Sequence, residues 1–158
     1  MPKRASADNV REKIMRYCAY QERCHADVRR KLSELGVTGD EADEIIVSLI
    51  KDQFLNEERF ARLFVHGKFR LKRWGRLKII RELEMRGLTQ ACIRSGLQAI
   101  DEEEYIKTLE YLISRKQGEY REQNIFVKRD KIADYVIRKG FEPDMVWDVV
   151  KKLVPDRP

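Results

Sequence analysis

What this chain of 158 residues lacks narrows its nature first. No apolar run approaches the roughly 20 residues that a helix needs to cross a bilayer. Its start, MPKRASADN, has no apolar core and does not read as a secretory signal. Eight glycines and four prolines are too few for a β-rich fold with many tight turns. The three cysteines, Cys18, Cys24 and Cys92, cannot all pair and fit a reducing, cytoplasmic setting. Cys24 and His25 are neighbours, but adjacent helical residues point about 100° apart. No third or fourth ligand stands at zinc-site spacing. A GxxxxGK[ST] loop, a GxGxxG turn and a Ser–His or Cys–His arrangement are also missing. The expectation is a protein without cofactor, metal or enzymatic activity.

What is present is charge: 38% of the residues are Asp, Glu, Lys or Arg, and the net charge is +6. Hydrophobic residues, at 42%, still suffice to pack helices. The charge is not spread evenly. From Arg59 to Arg86 there are ten basic residues, Arg59, Arg62, Lys68, Arg70, Lys72, Arg73, Arg76, Lys78, Arg81 and Arg86. Only Glu82 and Glu84 oppose them, a local excess of +8, so the rest of the chain sums to −2. Such concentration points to a polyanion or an acidic protein surface as partner.

Glycine punctuates the sequence. Leu35-Gly36-Val37, Arg86-Gly87-Leu88 and Lys139-Gly140-Phe141 each follow a charged amphipathic run, at spacings of 51 and 53 residues. Glycine there reads as a helix C-cap, because it enters the left-handed region without steric cost. At an offset of 53, Ile79 falls on Ile132, Leu83 on Val136, Leu88 on Phe141, Ile93 on Val146, Leu97 on Val150 and Ile100 on Leu153. The pattern predicts an all-α chain of three tandem three-helix repeats, over 7–54, 55–100 and 101–154.

The predicted helices are Ala7–Gln21, His25–Leu35 and Gly39–Gln53, then Glu57–Arg73, Arg76–Arg86 and Gln90–Ile100, then Glu102–Glu119, Val127–Lys139 and Pro143–Leu153. Thr38 to Glu41 reads as a capping box, and Asn56 and Thr89 as N-caps. Gln117–Asn124 is polar and reads as a loop. The acid clusters Asp40–Glu44 and Asp101–Glu104 sit at helix starts, where they suit the helix dipole better than a nuclease metal site.

On the helix Glu57–Arg73, Arg59, Arg62, His66, Arg70 and Arg73 fall on one stripe at about 100° per residue. No acid lies between Arg59 and Arg73. The stripe therefore looks uncompensated, and anion or acidic-partner contact is the expected role. Phe60, Leu63, Phe64, Gly67, Leu71 and Trp74 look like the core face. Val65 and Phe69 form a second strip suited to a neighbouring repeat. Trp74 and Trp147 read as core. Glu103 and Glu104 look remote from the stripe. The candidate partner-contacting residues are Arg59, Arg62, Lys68, Arg70, Lys72, Arg73, Arg76, Lys78 and Arg81.

The order of residues resembles the RecX family. The matching pieces are Phe54-Leu55-Asn56-Glu57-Glu58-Arg59-Phe60-Ala61, Gly75-Arg76-Leu77-Lys78-Ile79 and Glu82-Leu83-Glu84-Met85-Arg86-Gly87-Leu88. The resemblance runs from about Val10 to Leu153. One departure is Cys24, where the family usually has a small hydroxyl residue opening the second helix. The resemblance implies a curved, elongated helical module that binds RecA recombinase filaments on DNA. It implies inhibition of the recombinase, ATPase and coprotease activities, and so modulation of recombination, DNA repair and the SOS response. It also implies weak, salt-dependent contact with DNA. A monomer is expected. The alternatives are a helix-turn-helix-like module acting directly on DNA, and a protein-only adaptor whose basic face meets an acidic protein.

Overall fold

The computed structural model describes residues 7–155. Nine α-helices lie among them: α1 (Ala7–Tyr20), α2 (His25–Glu34), α3 (Gly39–Lys51), α4 (Glu57–Lys72), α5 (Arg76–Met85), α6 (Gln90–Leu97), α7 (Glu102–Glu119), α8 (Ile125–Arg138) and α9 (Pro143–Leu153). No strand occurs among the described residues. The nine predicted helices are all present, their ends displaced by at most three residues. α7 runs through Gly118, so the polar loop before α8 is shorter than Gln117–Asn124.

The same turn is built three times. Gly36, Gly87 and Gly140 have φ of 84°, 80° and 106°, in the left-handed region. Each glycine N–H donates to the carbonyl three residues back: Ser33 at 3.0 Å, Glu84 at 2.9 Å and Ile137 at 2.9 Å. The following residue donates five back: Val37 to Leu32 at 2.8 Å, Leu88 to Leu83 at 3.2 Å and Phe141 to Val136 at 3.3 Å. This Schellman pattern satisfies the orphan carbonyls of the helix end and turns the next residue inward. Val37, Leu88 and Phe141 are accordingly all buried. The repeated apolar positions follow: Ile79 and Ile132, Leu83 and Val136, and Ile93 and Val146 are 0–1% exposed.

Side-chain caps divide. Asn56 Oδ1 accepts the Arg59 N–H at 2.9 Å, and Thr89 Oγ1 accepts the Cys92 N–H at 3.2 Å. Thr38 occupies the N-cap of α3 but makes no side-chain cap bond, so the expected capping box does not form. At the neighbouring helix α2, buried Asp27 accepts the Cys24 N–H at 3.2 Å. A carboxylate three residues into α2 thus ties down the helix start that cysteine caps poorly.

The described residues pack as two compact units, 7–63 with Leu83–Gly96, and Phe64–Glu82 with 97–155. The core of the first joins Val10, Ile14, Val28, Leu32, Ile46 and Leu49. The second buries Val65, Phe69, Ile79, Tyr105, Leu109, Ile113, Ile132 and Phe141. In α4 the buried line is Ala61, Val65 and Phe69, each four residues from the last, with Phe60. The expected core face holds at Phe60 but is overturned at Leu63 and Leu71, which are 55% and 81% exposed. A helical wheel with two apolar strips does not say which one meets a core. Phe69 stacks on Tyr105 of α7 with ring centroids 5.7 Å apart, so the strip assigned to a neighbouring repeat does meet one. Trp74 and Trp147 are half-buried rather than core.

Candidate anion-binding surface

The arginine stripe is largely neutralised. Arg59 is paired with Glu22, and its Nη2 also donates to the Gln53 carbonyl at 3.0 Å. Arg62 is 2.7 Å from Glu58 and 3.3 Å from Ser95 Oγ. Arg70 makes bonds of 2.8 and 3.0 Å to both oxygens of Glu104. The expectation of an uncompensated stripe is therefore corrected. Glu58 stands one turn before Arg62, and Glu22 and Glu104 are 37 and 34 residues from their partners. Acids brought from other elements are invisible on the wheel of one helix. Glu104 is likewise not remote from the stripe.

Arg76 is also committed inside the protein. Its side chain is only 21% exposed. Nη1 donates to Glu142 at 2.8 Å, Nη2 pairs with Glu102, and the guanidinium lies 3.8 Å from the centre of the Tyr105 ring. The Tyr105 hydroxyl accepts the Arg76 backbone N–H at 3.0 Å and donates to Glu142. Burial pushes the Arg76 pKa down, but the Glu142 hydrogen bond and the nearby carboxylates outweigh it, leaving the pKa raised. Burial, then the bond to Glu142, pushes the Tyr105 hydroxyl pKa up. This network holds the start of α5 in place and leaves Arg76 little to offer a partner.

The remaining cations gather where α4 ends. Arg73 takes φ 54°, a left-handed turn in which the Trp74 N–H donates to the Lys68 carbonyl at 3.1 Å. That conformation costs a non-glycine residue about 1–2 kcal/mol. It directs the chain so that two lysines flank one indole: Lys68 Nζ is 4.9 Å and Lys78 Nζ 4.3 Å from the Trp74 ring centre. The Arg73 guanidinium is 4.9 Å from the Tyr111 ring centre. Lys72 and Arg81 are exposed. Lys139, which the charge count of the middle segment could not include, joins them by donating to the Lys72 carbonyl at 3.1 Å. Its pKa is lowered, first by burial and then by the charges of Lys78 and Arg73. Among the described residues, no carboxylate lies within 4.0 Å of Lys68, Lys72, Arg73, Lys78, Arg81 or Lys139.

Six cations with no carboxylate partner in one unit, two of them against the Trp74 indole, suit a bound polyanion or carboxylate surface. Of the nine expected residues, Lys68, Lys72, Arg73, Lys78 and Arg81 have no carboxylate partner among the described residues. Arg76, 21% exposed, is tied to Glu142 and Glu102, and Arg59 to Glu22, whereas Arg62 and Arg70 meet Glu58 and Glu104 in exposed pairs that a competing anion can open. Among the described residues, no group of three or more His, Cys, Asp or Glu could hold a metal ion. No described helix is long and apolar enough to cross a membrane.

Two family models match this chain: the second three-helix domain of RecX over residues 56–97, and the third three-helix domain of RecX over 102–150. The regulatory protein RecX of Bacillus cytotoxicus is 26% identical over 141 residues, which span 89% of this chain and 52% of that protein. The RecX of Bacillus cereus is 24% identical over the same length. The chain thus spans about half the length of the curated relatives it matches. The crystal structure of RecX from Lactobacillus salivarius has the same fold, with a TM-score of 0.84 at 22% identity, covering 92% of this chain and 95% of that one. A second RecX crystal structure superposes with a TM-score of 0.82 at 21% identity, covering 92% of this chain and 72% of that one. The two matched models together take in more than half of the residues, and the chain belongs to the RecX family.

Proposed function

We propose that this chain regulates a RecA-type recombinase by binding its filament on DNA, and that it lowers recombinase, ATPase and coprotease activity. Through them it modulates recombination, DNA repair and the SOS response. Membership of the RecX family supports the reading. The observation that carries the contact surface is the cluster Lys68, Lys72, Arg73, Lys78, Arg81 and Lys139. Lys139 is pushed toward losing its proton by burial and by Lys78 and Arg73. An approaching phosphate or carboxylate relieves that repulsion, so the surface gains more from an anion than a solvated face does. No covalent chemistry is required of the chain; it works by occupying the filament, as a monomer. DNA contact through the same cations is weak and salt-dependent.

The test is inhibition of single-strand-dependent ATP hydrolysis by a RecA filament. Wild-type protein lowers the rate, and the variant Lys72→Glu/Arg73→Glu requires at least tenfold more protein for the same effect. A folded double variant that inhibits at wild-type concentration removes the cluster from the contact. A wild-type chain that leaves the filament's ATPase and strand exchange untouched removes the proposed function.

A further inference from the structure

A groove of about 550 Å³ lies in the first unit, lined from α1, the following loop and α2. Its residues include Lys13, Arg16, Tyr17, Tyr20, Arg23 and Lys31, and no acidic side chain lines it. The nearest ion-pair partners are rim carboxylates: Glu12 is 3.7 Å from Arg16 and Glu34 3.7 Å from Lys31. Such exposed pairs contribute little and yield readily to a competing anion.

The aromatics distinguish this groove from a plain basic patch. Arg23 lies 3.7 Å from the Tyr17 ring centre, and its Nε donates to the Tyr17 carbonyl at 3.0 Å. The guanidinium is thereby held against the ring. Lys31 Nζ stands 5.7 Å from the same ring centre. Tyr20 is 83% exposed, an open ring at the edge of four cations. A phosphate or an acidic peptide needs the cations but gains little from an open ring. A duplex offers phosphates but keeps its base faces stacked inside. An unpaired strand brings both: phosphates for the cations and a free base face for the ring or the guanidinium plane.

We propose that this groove binds single-stranded nucleic acid, with a base stacked on Tyr20 and the flanking phosphates held by Lys13, Arg16 and Lys31. The site lies in the first unit, shares no residue with the cations assigned to the filament, and needs no recombinase to be tested. The measurement is fluorescence anisotropy of labelled oligothymidylate and oligouridylate, each about 12 nucleotides long, within the usual range of single-strand site sizes. It is run on the whole chain, in wild type and in a Lys72→Glu/Arg73→Glu background, so that the second unit's cations do not mask the groove. Binding in either strand chemistry is expected, the preferred sugar naming the source. Tyr20→Ala should weaken it roughly 5- to 150-fold, the range that loss of one base–aromatic stack gives. Tyr20→Phe should retain it. Lys13→Gln/Arg16→Gln should flatten the slope of log affinity against log salt by about 0.7 for each lost phosphate contact. Tyr20 is exposed, so its variants should fold, and circular dichroism confirms this. Wild-type binding by folded Tyr20→Ala in both backgrounds overturns the proposal. So does polyglutamate that displaces the strand equally well from wild type and Tyr20→Ala, which would assign the groove to an acidic protein.

Discussion

Gly75 and Gly140 touch backbone to backbone. A Cβ placed on Gly75 would stand 2.2 Å from the Gly140 carbonyl carbon and 2.4 Å from its oxygen. The contact is also hydrogen-bonded: the Gly75 N–H donates to the Lys139 carbonyl at 2.7 Å, and the Leu77 N–H to the Gly140 carbonyl at 2.9 Å. The start of α5 thus passes the Gly75 and Leu77 N–H groups to the turn between α8 and α9, while the Arg76 N–H between them goes to the Tyr105 hydroxyl. Gly75→Ala must push two backbones apart. It should cost more than about 3 kcal/mol, the upper end of ordinary overpacking, read as a fall in the denaturant midpoint. An unchanged midpoint would mean that the two turns separate freely.

Gly87 poses a different constraint. A Cβ there meets nothing within 4 Å, yet φ is 80°. The cost of substitution is therefore purely conformational. Gly87→Ala should lose about 1 kcal/mol, Gly87→Val more, and Gly87→Asn less than either, since Asn tolerates the left-handed region. Equal losses for Asn and Val would point to packing instead.

Leu83 is fully buried and supplies the carbonyl that closes the Gly87 turn. Leu83→Ala should cost about 2–5 kcal/mol, as large-to-small changes in a packed core do. Thermal or denaturant unfolding of the purified variant measures it. A loss under about 1 kcal/mol would show that the site collapses around the smaller side chain.

Tyr105 should give the protein an alkaline limit. Its hydroxyl pKa in the fold is raised above the ordinary 10.0 by burial and by Glu142. The folded state then keeps a proton that the unfolded chain releases. The stabilisation is complete below about pH 10 and is lost as pH rises from there toward the folded value. Tyr105→Phe removes this dependence. It also strands the Arg76 N–H and Glu142, at about 1–3 kcal/mol. Plotted against pH, the stability difference between wild type and Tyr105→Phe should shrink above about pH 10. A difference that stays constant there would assign alkaline unfolding to other groups.

Glu104 should not behave as a neutral surface position. It holds Arg70 with two hydrogen bonds. Glu104→Gln frees that guanidinium and adds a cation beside Arg73 and Lys107, which line the same cavity. Under the proposed function, filament inhibition and the salt dependence of DNA binding should both strengthen, with stability altered by about 0–1 kcal/mol. Weaker inhibition would mean that the carboxylate itself meets the partner.

Helix number and order, the three glycine turns and the repeated apolar positions were legible in the sequence because each is local. Gly87 and Leu88 act on a carbonyl within five residues, and period and cap chemistry report such distances directly. The concentration of positive charge was legible for the same reason. The state of each charge was not. Whether an arginine is free depends on carboxylates tens of residues away, as Glu22 at Arg59 and Glu142 at Arg76 demonstrate. The core face of α4 was similarly undecided, since Leu71 and Val65 have the same chemistry and only packing made one exposed and the other buried.

By itself, then, the chain's order of residues determined an all-helical fold with three matching turns and a basic middle. Family resemblance followed from the same local pieces. Only the tertiary structure decided that Arg76 is a half-buried strut. It alone placed Lys139 beside Lys72 and Lys78, and made Gly75 obligatory through Gly140. The physical reason is reach. Hydrogen bonds, dihedral preferences and helical period act along a few residues, whereas ion pairing, burial and close backbone approach depend on which distant segments share a surface.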